Sequence, residues 1–163
     1  MGFKSVNELE QFCFDDCQIC EIKVSDKEVE FVLEALIVKR NNSQNTNFTE
    51  SYAGTTSARF FSGSIVKGFK DGYKYYNADD VLLKEVEDVL LTETEMRDIL
   101  NSSSGAYLYS FDKDKEENGR LYYTFGIEFV DELENTMSDS YHFQISFEKA
   151  VFEWEHYMNR VQH

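Results

Sequence analysis

Apolar and polar residues alternate along much of the last third of the chain, and this is the pattern of half-buried β-strands. Tyr107, Tyr109 and Phe111 share one face of the first such stretch, and Asn118-Gly119 then favours a tight hairpin turn. Two further stretches alternate in the same way. Their apolar residues are Tyr123, Phe125, Ile127 and Phe129, followed by Tyr141, Phe143, Ile145 and Phe147.

The first third of the chain predicts another strand pair. Apolar residues alternate with charged ones over 20–24 and again over 29–37, and the sequence Ser-Asp-Lys between them suits a turn. A polar run over 41–47 lacks any hydrophobic period and predicts a loop. An extended stretch follows over 48–66, and its glycines suit bends or bulges.

A helix signal stands close to the N-terminus. Ser5 and Glu8 have the spacing of a capping box, in which each side chain bonds the backbone N–H of the other residue. Val6, Leu9 and Phe12 then recur at helical intervals. This pattern predicts a short amphipathic helix at the start of the chain.

A second helix signal lies in the middle of the chain. Thr92 and Glu95 repeat the capping-box spacing, which predicts a short helix from Glu93 to about Leu100. Just before it, the stretch 82–91 fits both an amphipathic helix and a buried strand, so its pattern leaves the two alternatives open.

These elements predict an α+β fold, mainly antiparallel β, with a sandwich-like or partly closed barrel arrangement, an N-terminal helix and one short additional helix. The length of 163 residues predicts a single domain over 1–163. The segments 60–65 and 146–151 have a similar pattern, and each follows a predicted strand pair. They raise the hypothesis of two similar β-rich halves, at about 14–76 and 105–157.

Composition narrows the classes of partner. The chain has 14 Phe, 10 Tyr and one Trp, which is ample material for a packed core, and it has no proline. Its 31 acidic and 16 basic residues give a formal net charge of -15. Such a field repels nucleic acid and anionic membranes, and it favours a basic or neutral protein partner. Without a signal peptide or a long apolar run, the sequence predicts a cytoplasmic protein.

Three cysteines form the sharpest local motif. Cys13, Cys17 and Cys20 have the spacing by which radical S-adenosylmethionine enzymes hold an iron-sulfur cluster, and to that extent the motif resembles theirs. In that family an aromatic residue usually precedes the last cysteine, whereas this chain has Ile19. The chain is also too short for the barrel of that family. We therefore expect three reduced thiols that belong to the core or its margin, and no cofactor.

No motif identifies a catalytic residue. The histidines His142, His156 and His163 have no partners at ligand spacing, and neither a nucleophile elbow nor a glycine-rich phosphate loop is present. Two acidic clusters are candidate interaction sites. They consist of Asp112, Asp114, Glu116 and Glu117 at the predicted hairpin tip, and of Asp79, Asp80, Glu85, Glu87 and Asp88 before the predicted second helix.

In size and acidity the chain is similar to the small single-domain immunity proteins with which bacteria neutralise toxins. The resemblance implies a protein-interaction module whose carboxylates steer it onto a basic active-site surface and block it. Two alternatives stay open. One is a β protein that binds a small apolar ligand between its aromatic stripes, and the other is an enzyme of unknown class. Association into a homo-oligomer is compatible with each of them.

Overall fold

The computed structural model of the chain describes residues 2–15, 17–129 and 139–160. Over these residues the fold is mostly antiparallel β-sheet with one α-helix, α1, at Glu93–Asn101. The mainly antiparallel β class is therefore confirmed. The strands are β1 (Phe3–Val6), β2 (Phe12–Cys13), β3 (Cys17–Val24), β4 (Glu28–Glu34), β5 (Ile37–Val38), β6 (Ser51–Ala53), β7 (Thr56–Phe61), β8 (Ser64–Lys70), β9 (Tyr73–Tyr76), β10 (Leu82–Val86), β11 (Val89–Leu90), β12 (Tyr107–Glu117), β13 (Arg120–Glu128), β14 (Ser140–Phe147), β15 (Lys149–Trp154) and β16 (Tyr157–Arg160).

One large sheet contains most of the strands. Its ten strands have the order β1-β15-β7-β4-β3-β12-β13-β14-β8-β11, and every neighbouring pair is antiparallel. A four-stranded sheet has the order β16-β6-β5-β2, while β9 and β10 form a sheet of two strands. The terminal strands β1 and β11 of the large sheet do not pair with each other. The large sheet is thus not closed into a barrel.

The large sheet is strongly curved around an aromatic core. Phe31 on β4 and Phe125 on β13 are separated by three strand spacings, about 14 Å along a flat sheet. Their ring centroids are nevertheless 5.1 Å apart, and Phe60 on β7 stacks on Phe111 of β12 at 5.6 Å. These contacts require the sheet to bend so that its inner face packs on itself. All four rings are buried.

The two segments with a similar sequence pattern, 60–65 and 146–151, lie side by side. Segment 60–65 joins β7 to β8, segment 146–151 joins β14 to β15, and the ladder pairs Phe60 with Ala150 and Ile65 with Ile145. The N–H of Glu148 donates to the carbonyl of Phe61 at 3.0 Å between the two pairings. The structure shows that the segments contact each other. Their origin by duplication stays a prediction.

The predicted N-terminal helix is wrong. Residues Phe3–Val6 form β1 against β15, and only a single 3-10 turn, Leu9–Gln11, follows. Ser5 does not cap a helix, because its hydroxyl is buried and donates to the Glu8 carboxylate at 2.7 Å. That carboxylate also accepts the N–H of Ser43 at 2.9 Å. The apparent capping pair is therefore a tertiary contact that holds the polar loop.

The second predicted helix is confirmed. Thr92 accepts the N–H of Glu95 on its side chain, and the Glu95 carboxylate accepts the N–H of Thr92, so both halves of the capping box are present. The ambiguous stretch before this helix forms β10 and β11 instead of a helix. The Asn118-Gly119 turn is confirmed as well, since Glu117 pairs with Arg120 and both turn residues have positive φ angles.

A bulge changes the predicted face of β12. Its ladder with β13 shifts between Leu108 and Ser110, so Leu108 and Phe111 are buried while Tyr107 and Tyr109 are exposed. The three aromatics that alternate in sequence do not share one buried face. A one-residue bulge moves every side chain before it to the opposite face, and alternation alone cannot reveal that.

Candidate functional site

The hairpin formed by β9 and β10, which we call the arm (residues 73–86), lies outside the large sheet. Its two strands pair with each other, and among the described residues neither belongs to another ladder. Its tip is shaped by Asn77, whose side-chain oxygen accepts the N–H groups of Asp79 at 2.8 Å and Val81 at 3.0 Å. Asp80 adopts a left-handed φ of 59° in the same turn.

The arm exposes apolar side chains on both of its faces. Tyr73, Tyr75 and Val86 occupy one face, and Tyr76 lies opposite Leu82 on the other. Leu83, at the bulge in β10, is 66% exposed. The exposed large apolar side chains continue beyond the arm into β11, and between 73 and 90 they are Tyr73, Tyr75, Tyr76, Val81, Leu82, Leu83, Val89 and Leu90. A concentration of exposed apolar side chains on one hairpin is typical of an interaction site.

The same stretch is strongly acidic. Residues 71–90 contain six acidic residues and two lysines, Lys74 and Lys84. Lys74 forms an ion pair with Glu85 at 3.6 Å, and Lys84 lies over the ring of Tyr73. The second acidic cluster from the sequence therefore falls in and beside the arm. Its members Asp79, Asp80, Glu85, Glu87 and Asp88 are all exposed and alternate along the sequence with the exposed apolar residues.

The first acidic cluster lies on the hairpin of β12 and β13, where none of the described large apolar side chains between 111 and 128 is exposed. Asp112, Asp114, Glu116 and Glu117 are all exposed on β12. Glu117 pairs with Lys115 at 2.9 Å, Glu116 with Lys113 at 3.6 Å, and Asp114 accepts from Thr124 at 2.6 Å. Neighbouring lysines and polar groups thus satisfy much of this cluster locally, as in an ordinary solvated hairpin tip.

A polar network joins the arm to the large sheet. Asp71 precedes β9, and its carboxylate accepts hydrogen bonds from the Ser140 hydroxyl and from the Tyr109 hydroxyl, the latter at 2.9 Å. The other carboxylate oxygen contacts Nδ1 of His142. The Tyr109 ring reaches this place because residue 126 is glycine, where a Cβ atom would stand 2.2 Å from the Tyr109 Cζ.

The network shifts the pKa values of Asp71 and Tyr109. Burial by itself raises the pKa of Asp71, but the hydrogen bonds from Ser140, His142 and Tyr109 outweigh it and lower the pKa below the ordinary aspartate value. Burial raises the pKa of Tyr109, and its bond to the Asp71 carboxylate raises it further. Asp71 therefore stays ionised and Tyr109 stays neutral at neutral pH.

This network does not have the connectivity of a hydrolase triad. Ser140 donates to Asp71, whereas an activated serine donates to the imidazole that accepts its proton. A carboxylate with a lowered pKa is also a poor general base. Among the described residues, no group of three His, Cys, Asp or Glu side chains is arranged to hold a metal ion.

The three cysteines differ in their exposure. Cys17 is fully buried on the inner face of β3, while Cys13 on β2 and Cys20 at a bulge in β3 are partly exposed. All three thiols are free. Burial raises the pKa of each, most of all that of Cys17. Thiols of this kind are poor ligands and poor nucleophiles at neutral pH.

Sequence reasoning missed the Asp71–His142 contact and the exposure of the arm. The contact depends on the pairing of β8 with β14 across 71 positions of sequence. The one available signal was that His142 stands on the polar face of a predicted strand. The exposure of the arm could not be inferred from the sequence, because a strand buried inside a sheet over 82–91 would show the same pattern of apolar residues. Of the other histidines, His156 follows β15 and His163 lies outside the described residues.

Comparisons with known proteins add no functional information. The chain matches no family model, no curated protein and no solved structure. Within the part of the chain that the structure describes, no helix is long and apolar enough to cross a membrane.

Proposed function

We propose that the protein is an interaction module that uses the arm and β11 to dock onto a basic protein partner. The observation that carries this proposal is the coincidence of exposed apolar residues and acidic residues between 71 and 90. An isolated two-stranded hairpin is marginally stable in water, and this one buries neither face against the large sheet. A partner that covers it removes that apolar area from water.

Charge selects the class of partner. The chain carries a net charge of -15, and the arm itself has more carboxylates than lysines. A basic surface is therefore drawn toward the arm during encounter, while nucleic acids and acidic proteins are repelled. Apolar contacts by Leu82, Leu83 and Tyr76 then provide most of the binding free energy, as central residues of interfaces do.

The finer hypothesis is inhibition by occlusion, as in the immunity proteins that the chain resembles in size and acidity. On this hypothesis the partner is a toxin with a basic active surface, and the arm covers it. The hypothesis expects a reading frame for a basic protein beside the gene of this chain. It also expects the purified protein to abolish the activity of that partner at a one-to-one ratio.

The apolar-ligand alternative has less support. The aromatic rings that would line such a cavity contact one another, with Phe111, Phe125 and Phe143 at successive centroid distances of 5.6 and 5.4 Å. Rings stacked in this way fill the space that a ligand would need.

The test is a binding measurement with matched variants. The partner captured from cells is purified, and its affinity is measured for the wild type, for an arm variant (Leu82→Ser with Leu83→Ser) and for a tip variant (Glu116→Gln with Glu117→Gln). We expect the arm variant to bind at least about tenfold more weakly, and the tip variant to bind within about twofold of the wild type. The affinity should fall steeply with added salt.

Two results would contradict the proposal. One is an arm variant that binds as tightly as the wild type, and the other is an affinity that does not change with salt. Capture of a nucleic acid or of an acidic protein as the specific partner would likewise overturn the choice of a basic surface.

A further inference from the structure

The arm leaves the large sheet through two adjoining segments. Asp71 and Gly72 lead into β9, and Glu87 and Asp88 lead out of β10. The N–H of Gly72 donates to the Asp88 carboxylate at 2.7 Å. A Cβ atom on residue 72 would stand 2.0 Å from the carbonyl oxygen of Val86, so only glycine allows the two segments to approach this closely. We call Asp71, Gly72, Glu87 and Asp88 the root of the arm.

One imidazole contacts both sides of the root. Nδ1 of His142 bonds the Asp71 carboxylate, and its Nε2 lies 4.0 Å from the Asp88 carboxylate. The ring is held flat against Phe69, with centroids 4.9 Å apart and planes at 16°. His142 belongs to β14, which lies inside the large sheet between β13 and β8. Its position is therefore fixed by the sheet, independently of the arm.

The lysines near His142 are engaged elsewhere. Lys67 on β8 lies over the Phe69 ring, and Lys70 pairs with Asp139 at 3.7 Å. Among the described residues, no lysine or arginine is within ion-pair distance of Asp71 or Asp88. The titratable and charged groups that face the cluster are Tyr109 from β12, Glu128 from β13, Lys67 and Lys70 from β8, Asp139 before β14, and Asp71, Glu87 and Asp88 from the root.

Protonation changes how many carboxylates the ring can bind. A neutral imidazole has one N–H group and can donate to one acceptor, whereas the imidazolium has two N–H groups and a positive charge. Because Nδ1 contacts Asp71 and Nε2 lies 4.0 Å from Asp88, the charged form bonds Asp71 and attracts Asp88 at the same time. Histidine is the side chain that ordinarily makes this change between pH 5 and 8.

We propose that His142 is a pH-dependent clasp that fixes the root of the arm to the large sheet. When protonated, the ring joins the segments that enter and leave the arm; when neutral, it holds Asp71 alone and Asp88 is freed from it. This inference rests on the proposed function in one respect, since it concerns the regulation of the same docking surface. The clasp orders the arm before docking, and ordering before contact increases affinity.

The experiment needs no partner. Nuclear magnetic resonance spectra of the wild type are recorded from pH 5 to 8, with the His142 ring and the amides of Gly72 and Asp88 as reporters. We expect both amides to shift with the same midpoint as the ring. The variant His142→Gln should lose this transition, and the control His156→Gln, which changes a histidine outside the cluster, should keep it.

A second variant keeps the proposal testable if His142→Gln does not fold. Asp88→Asn removes the carboxylate charge at 4.0 Å and leaves the Asp71 pair in place, and its amide oxygen can still accept the Gly72 N–H. It should reduce the shift of the Gly72 amide by at least about half, because a neutral amide attracts the imidazolium less strongly. The proposal is overturned if the root amides do not follow the ring in the wild type, or if their transition persists in His142→Gln.

Failure of the clasp and failure of docking are distinguishable. If the root amides follow the ring but the arm variant binds the partner like the wild type, the clasp stands and the proposed function fails. If the arm is the docking surface but the wild type and His142→Gln respond to pH alike in their affinity for the partner, the clasp does not regulate docking and this inference fails alone.

Discussion

The two hairpins of this molecule use similar residues to opposite effect. The hairpin of β12 and β13 lies between β3 and β14 in the large sheet, and its Phe111 and Phe125 are buried. The arm has tyrosines and leucines in a comparable alternation, yet no strand flanks it among the described residues, and Tyr76 and Leu83 are exposed. Flanking strands, and not the residue types, decide which hairpin becomes core.

The two hairpins therefore differ in what their apolar residues do: those of β12 and β13 stabilise the fold, and those of the arm stay exposed at the surface. Burial of a large apolar side chain contributes about 1.5–3 kcal/mol to folding, whereas an exposed one contributes little. The apolar residues of the arm therefore cost solubility without stabilising the sheet. Their presence is explained if another protein covers them.

The largest expected effect is on the buried hairpin. Phe125→Ala removes a ring that contacts Phe31, Phe111 and Phe143, and it should lower the free energy of unfolding by about 3–5 kcal/mol. The matched arm variant Leu83→Ala should change it by less than about 0.5 kcal/mol. Denaturation in urea measures both. Similar losses in the two variants would show that the arm belongs to the cooperative core.

A smaller effect is expected at the turn of the buried hairpin. Gly119 has a φ of 77° and open space around its Cα, so Gly119→Ala adds conformational strain without a clash. We expect a loss of about 1 kcal/mol in the free energy of unfolding. A substitution at the arm tip, Ala78→Gly, should leave it within about 0.5 kcal/mol. If Ala78→Gly lowers the free energy of unfolding more than Gly119→Ala does, the contrast between the two hairpins is contradicted.

At the junction between the arm and the sheet, the contribution of Asp71 to the free energy of unfolding should decrease in acid. Because the folded pKa of Asp71 lies below its unfolded value, its carboxylate stabilises the fold fully above the unfolded value of about 3.9. That contribution is lost as the pH falls through the folded pKa. The wild type should thus exceed Asp71→Asn in unfolding free energy at pH 5, and the difference should shrink at about pH 2.5. A difference that grows in acid would contradict the lowered pKa.

The smallest effect is expected at the acidic tip of the buried hairpin. Glu116→Gln with Glu117→Gln breaks two exposed ion pairs with Lys113 and Lys115. Exposed pairs contribute about 0–1 kcal/mol, so the unfolding free energy should change by less than about 1 kcal/mol. Thermal and urea denaturation check this expectation, and a loss as large as that of Phe125→Ala would show that the tip is structural.

Local signals in the sequence predicted local structure well. The capping box at Thr92 and the Asn118-Gly119 turn act over three or four residues, and both are present. Ser5 and Glu8 have the same capping spacing, but the Ser5 hydroxyl donates to the Glu8 carboxylate, which also accepts from Ser43. No helix forms there, because β1 pairs with β15 near the other end of the chain. Contacts across such distances are not encoded in a short window.

The candidate site was predictable only in part. The acidic residues around Glu85 and Asp88 stand out in the sequence, and this one of the two proposed clusters lies in and beside the arm. The exposure of Leu83 depends on the absence of a flanking strand, and the contact of Asp71 with His142 depends on the register of β8 and β14. Both are properties of the whole sheet, so neither could be inferred from periodicity.

The most direct test of the proposed docking surface places a photo-crosslinking amino acid at Leu83 in one variant and at Glu117 in another, both expressed in the native host. We predict that position 83 yields one discrete adduct with a basic protein and that position 117 yields none. The purified adduct partner should then bind the wild type with salt-dependent affinity. Equal crosslinking at both positions, or an adduct at position 117 alone, would contradict the assignment of docking to the arm.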